Sequence, residues 1–184
     1  MALILTDGTL RLRPFQAEDF HNFSILHADP DAMHDLGGPI EKSDAVAKHK
    51  SYLTAFTLYG YSRFAVFDDT RFAGYVGVMP IRNPNHPLGR HNEIGWRIMP
   101  KFWGKSLATG AANLALTDIF DRVGLDHVLA YTSPDNLRSQ AVMARLGMTR
   151  TPELDFEEHY PPVGIWQGLT WRITAEDHRA GGIE

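Results

Sequence analysis

The chain has 184 residues, 43% hydrophobic and 22% charged, the balance of one ordinary globular domain with a full-sized core. A formal net charge of −4 argues against a nucleic-acid-binding surface and suits a basic acceptor. The absence of cysteine excludes a disulfide framework, a thiolate metal site and an acyl-cysteine intermediate.

Residues 9–14 alternate and predict a first strand. A short helix is expected over 19–27, with Phe20, Phe23 and Leu26 inward, interrupted at Asp29-Pro30; Gly37-Gly38-Pro39 signals a loop. Ser43 precedes a helical run to Tyr59, whose inward stripe is predicted at Val46, Lys50, Leu53 and Thr57. Strands follow at 62–66 and 73–79, joined by a turn at Asp68-Asp69. Residues 82–91 form a polar loop, and 93–99 the next strand. A central helix is predicted over 106–123, with Leu107, Ala111, Ala115, Ile119 and Val123 on one face and Gly124 ending it. Gly110 inside it costs about 1 kcal/mol relative to Ala, unless a close sheet or ligand requires it.

Residues 128–132 form a buried strand. Asp135 or Asn136 caps a helix ending at Gly147, and Met148 opens another strand. Residues 160–164 are expected to be a loop, Glu157, Glu158 and His159 to be solvated beside it, with contact to an acceptor as the alternative, and 165–174 to be the last strand. Helices set among hairpin-connected strands predict an α/β domain with a mixed, mainly antiparallel sheet. No linker divides the chain, so residues 1–184 are expected to be one domain. No apolar run is long enough to span a membrane. The start lacks a signal-peptide pattern, so a cytoplasmic location is expected.

The chemistry concentrates between Asn92 and Gly147. A helix beginning after Trp103-Gly104-Lys105-Ser106 offers unpaired N–H groups and partial positive charge, with small residues that let a phosphate approach. Gly104-Lys105-Ser106 mimics the end of a Walker A loop, but Met99 stands where that motif needs glycine. No G-x-G-x-x-G occurs, so a dinucleotide fold has no fingerprint. Histidines lack metal-ligand spacing, and no metal is expected.

Glu93-Ile94-Gly95-Trp96, the Trp103–Thr109 turn, Asp135-Asn136-Leu137-Arg138-Ser139 and Arg145-Leu146-Gly147-Met148 occur in that order. Together they resemble the Gcn5-related N-acetyltransferases (GNAT), and within them the RimJ/RimL-like branch. The resemblance implies a sheet with helices on both faces, splayed between strands 93–99 and 128–132 to admit a pantetheine arm. It implies acetyl-CoA as co-substrate, held by Ile98, Met99, Trp103, Gly104, Lys105, Ser106, Ala108, Thr109 and Asn136. Ser106 departs from the family's pattern, which has glycine there.

Glu93 matches the branch's general base. Many relatives place a tyrosine at the position of Met143 to protonate the thiolate; Ser139, one turn earlier, stands where the branch uses serine. Architectural roles remain open to each: Glu93 as a strand-end carboxylate, Asn136 as a helix cap, Ser139 as a first-turn polar residue. The implied reaction is direct transfer of acetyl to a primary amine, either a protein N-terminal α-amine or a small amine. Neither nucleic acid nor membrane is an expected partner, and monomer and homodimer both stay open. The alternative is a non-catalytic acyl-CoA sensor on the same fold.

Overall fold

A computed structural model describes residues 3–160 and 163–181. A hairpin opens the chain, β1 (Leu5–Asp7) and β2 (Leu10–Pro14); sequence reasoning anticipated only its second strand. Helix α1 (Phe20–Ala28) leads to Asp29, whose carboxylate accepts from the Ala32 N–H and caps the short α2 (Pro30–Met33). A 3-10 turn, His34–Leu36, ends at Gly37, and α3 spans Lys42–Tyr59. Strands β3 (Arg63–Asp68), β4 (Arg71–Ile81) and β5 (His91–Ile98) form a meander. Then come α4 (Leu107–Asp118), extended by a π-helical turn to Val123, and β6 (His127–Thr132). Helix α5 (Leu137–Arg145), β7 (Thr149–Arg150), β8 (Phe156–Tyr160), β9 (Gly164–Thr174) and α6 (Ala175–Ala180) complete the fold. Among the described residues no helix is long and apolar enough to cross a membrane.

The sheet runs β1-β2-β3-β4-β5-β6-β9-β7, with β8 paired to the outer half of β9. All pairs are antiparallel except β5 with β6. That parallel pair has a single register contact, Glu93 opposite Leu129. Strand β5 instead follows β4 throughout, from His91 opposite Ile81 to Ile98 opposite Gly74. Met99 prolongs this by donating its N–H to Ala73 O at 2.8 Å. β5 therefore leaves β6 beyond Glu93, and the expected splay is present.

Both faces are covered. Ala111, Ala112, Ala115 and Leu116 of α4, with Ile119 of its π-helical extension, share a buried cluster with Val76, Val78, Ile94 and Val128. Small side chains let this helix lie close to the strands. A Cβ at Gly110 would sit 3.3 Å from the Leu10 side chain, so close packing accounts for this glycine. Gly124, with φ 79°, ends the helical run as expected. On the opposite face an aromatic layer joins Phe15, Phe23 and Tyr52 to Phe67 and Tyr75.

The inward stripe of α3 differs from expectation. Ala45, His49, Tyr52 and Ala55 are buried, while Val46 is 46% exposed. Its partners are aromatic rings, and His49 and Tyr52 meet them edge-on or tilted. Glu157, Glu158 and His159 belong to strand β8 rather than a loop; Pro161 and Pro162 lie outside the described residues.

Candidate active site

The splay opens a cleft of about 840 Å³. One wall is Trp96–Ile98 of β5 and the turn leading into α4; the other is Ser133 and the first turns of α5. Asp31–Gly37 closes one end, and Val163 and Trp166 of the β9 arm stand beside it. Of the residues singled out from sequence, the cleft gathers Ile98, Trp103, Gly104, Ser106, Ala108, Thr109, Asn136 and Ser139. Met99, Lys105 and Glu93 are not part of its lining. The Met99 N–H is committed to β4, and the exposed Lys105 reaches back over the Phe102 ring.

Gly104 has φ 76° and Ser106 φ 56°. Ser106 therefore takes the left-handed shape that suits glycine, at a cost of roughly 1–2 kcal/mol. It does so as the residue preceding α4, and the Gly110 N–H donates to Ser106 O to start the helical ladder. The N–H groups of Leu107, Ala108 and Thr109 precede that first bond and lack helical acceptors. Thr109 Oγ1 is also buried without a partner among the described residues. Unpaired donors at a helix N-terminus fit a pyrophosphate. Trp103 shapes the entrance: its Nε1–H donates to Ile98 O at 2.8 Å, and the Arg138 guanidinium lies 3.8 Å from its ring centroid.

Because Met99 bonds to β4, alternation places the Trp96 and Ile98 N–H groups on the opposite side of β5, toward the wedge. Between them Arg97 projects to the Asp31–Gly37 end. It forms a two-pronged pair with Asp35, at 2.8 and 3.3 Å, and donates to Ala32 O. Burial opposes the Arg97 charge, but Tyr75 and the Asp35 carboxylate hold its pKa above the ordinary arginine range. Asp35 also accepts from Asn136 Nδ2 at 3.0 Å, and Asn136 Oδ1 accepts from the Ser139 N–H at 3.1 Å. Asn136 is thus the α5 cap, as its residue type predicts. Met143 is buried in the core at 2% exposure.

Glu93 sits where the two strands part. Its carboxylate Oε2 is ion-paired to Arg63, whose guanidinium also donates to the Gly77 and Glu93 carbonyls. Gly95 leaves room for the pair: a Cβ there would lie 2.7 Å from Glu93 Oε1 and 2.8 Å from Arg63 Nη2. Tyr131 is close by, its hydroxyl pKa pushed up by burial and by the Glu93 charge. His86 and His91 flank Tyr131, and burial, reinforced by His91, lowers the pKa of His86.

Sequence reasoning missed Arg63, Arg97 and Asp35. The available signal was an arginine inside each of two otherwise strand-forming apolar runs, where a buried charge requires a partner.

The family model for the acetyltransferase (GNAT) domain matches residues 9–149. The FsC-acetyl coenzyme A-N(2)-transacetylase of Aspergillus fumigatus is 30% identical over 180 residues, covering 94% of this chain and 77% of its own. Mycobacterium smegmatis RimJ, solved in complex with CoA-disulfide, aligns with a TM-score of 0.75 at 22% identity, over 96% of this chain and 88% of its own. Spermidine N-acetyltransferase from Vibrio cholerae, solved with CoA and spermine, aligns with a TM-score of 0.74 at 20% identity, over 94% and 99%. A sheet splayed beside an open helix N-terminus, and a family match across three quarters of its length, place this chain among the GNAT acetyltransferases, acyltransferases that take their acetyl group from acetyl-CoA.

Proposed function

We propose that this acetyltransferase transfers acetyl to a primary amine by direct attack in a ternary complex, in the manner of the RimJ/RimL-like branch. The observation that carries the reading is the continuity of the cleft. It runs from the donor-rich start of α4 to the wall formed by Asp31–Gly37 and Trp166, so co-substrate and acceptor share one cavity. With no cysteine in the chain, no acyl-cysteine intermediate intervenes.

The roles follow from what each group has free. The Ile98 N–H faces the wedge and suits the developing oxyanion. Ser139 lines the cleft, and its hydroxyl has no hydrogen-bond partner among the described residues, so it is available to the departing thiolate. Met143, buried and without a proton to give, supports that assignment. Glu93 Oε2 is held by Arg63 while Oε1 has no hydrogen-bond partner among the described residues; through water, Oε1 takes the ammonium proton.

Free-thiol release from acetyl-CoA, measured over peptides with free N-termini, polyamines and aminoglycosides, tests the reading. Turnover is expected with a primary amine and not with its N-acetylated form. Tight acetyl-CoA binding with no thiol release across the panel would establish the sensor alternative instead.

A further inference from the structure

Asp35 touches both sides of the cleft. On the acceptor side it pairs with Arg97 of β5; across the cleft it accepts from the side-chain amide of Asn136, 101 positions away in sequence. A carboxylate has only acceptors, so the atom of Asn136 that meets it must be the NH₂. That leaves the Asn136 oxygen facing the other way, onto the Ser139 N–H. Rotating the amide would put NH₂ against N–H and leave α5 uncapped. Arg97, largely buried and fixed by Ala32 O, holds Asp35 in place.

We propose that Asp35 is a positioning residue: it sets the orientation of the Asn136 amide, and so fixes the first turn of α5 and the place of Ser139 in the cleft. The inference rests on the reading of Ser139 as the thiolate's donor. It adds that the wall meeting the acceptor also holds the helix that meets the leaving group.

Exchanging the two side chains tests it without removing either bond partner. In Asp35→Asn the new amide turns its oxygen to Arg97 and its NH₂ to Asn136, which must rotate and lose the cap. In Asn136→Asp the cap survives, but two carboxylates face each other. In the double variant the carboxylate moved to position 136 accepts from both the amide NH₂ moved to position 35 and the Ser139 N–H, restoring the contact and the cap; Arg97 keeps the bond to Oδ1 and gives up the longer one to Oδ2. Each single substitution is expected to lower kcat by about tenfold, the worth of a lost cap or a facing like charge, and the double variant to return to within about threefold of the parent. In Asp35→Asn the KM for acetyl-CoA is expected to stay within about twofold, since the unpaired donors of α4 are untouched.

Parental kcat in either single variant, or a double variant no faster than the slower single, overturns the proposal. Circular dichroism and melting temperature confirm that each variant is folded. Should Asp35→Asn fail to fold, Asn136→Asp against the same substitution joined to Asp35→Ser supplies the comparison, with relief of the repulsion expected. Ser139→Ala is run alongside. Full speed there removes Ser139 from the chemistry and leaves the Asp35–Asn136 coupling to stand or fall on its own cycle.

Discussion

Arg63 and Glu93 form a largely buried ion pair seated over Gly95, at the point where β5 and β6 separate. The pair makes Glu93 an anchor for β3 and β5 as well as a candidate base, and the two roles respond differently to pH. Glu93→Gln keeps an acceptor for Arg63 but cannot take a proton. The turnover rate is expected to fall at neutral pH and to recover toward the parent at high pH, where the amine is already neutral. Steady-state kinetics across about pH 6 to 10 provide the check. A variant with a lower melting temperature and an unchanged pH profile would leave Glu93 as an anchor alone.

Ser106 holds a left-handed backbone at the start of α4. Ser106→Gly is expected to stabilise the fold by up to about 1 kcal/mol, with acetyl-CoA affinity unchanged or tighter. Ser106→Val, β-branched, is expected to lose stability and affinity together. Chemical denaturation and calorimetric titration with CoA measure both. Lower affinity in the glycine variant would show that the serine hydroxyl itself meets the ligand.

Ser139→Ala is expected to cut kcat by about ten- to ten-thousand-fold, the range for impaired proton transfer and anion stabilisation. CoA affinity should barely change, because the charge on sulfur develops only as the thioester breaks. Normal turnover in the alanine variant would mean that the thiolate leaves unaided or is protonated by water.

His27 is fully buried, 3.0 Å from Phe23 O and stacked on Tyr75. Burial, reinforced by Lys48, pushes its pKa down to about 3. The unfolded chain, with an ordinary histidine pKa near 6.5, then binds the proton more readily than the native state. The stability that the neutral ring contributes is complete above about pH 6.5 and drains away as pH falls toward 3, at up to about 1.4 kcal/mol per pH unit. Urea unfolding between about pH 7 and 5, above the main carboxylate range, is expected to show this slope in the parent and to show it reduced in His27→Phe. Parallel slopes would shift the dependence to another group.

Much of this molecule is legible in its sequence because alternation and capping are local. The strands at β4, β5 and β6, the Asn136 cap and the Gly124 stop all follow from neighbouring residues. What escaped depends on distant partners. The buried face of α3 was misjudged because aromatic rings from α1 and β4 accept His49 and Tyr52, which a count of aliphatic residues passes over. Strand β8 escaped because Glu157 and Glu158 are polar residues on a hairpin arm whose only strand partner among the described residues is β9. Arg63, Arg97 and Asp35 escaped because charges are ordinarily at the surface. Only the fold brings Glu93 to Arg63, or Asp35 to both Arg97 and Asn136.

The splay has a consequence for the protein's behaviour among its neighbours. Unpaired strand edges invite other chains to add on, and proteins blunt them. At the outer margins of the main sheet stand β1, with three residues, and β7, with two, both too short to make inviting templates. Strand β8, with five residues, pairs with β9. Unpaired backbone also lies where β5 and β6 diverge, and there it faces the cleft that Trp103, Arg138 and Trp166 line. A slender amide-bearing chain such as pantetheine matches that slot, whereas a neighbouring polypeptide would have to bring its side chains in with it. The opening in the sheet thus shelters its own unpaired backbone, because a slot too narrow for a side-chain-bearing strand is closed to neighbouring chains.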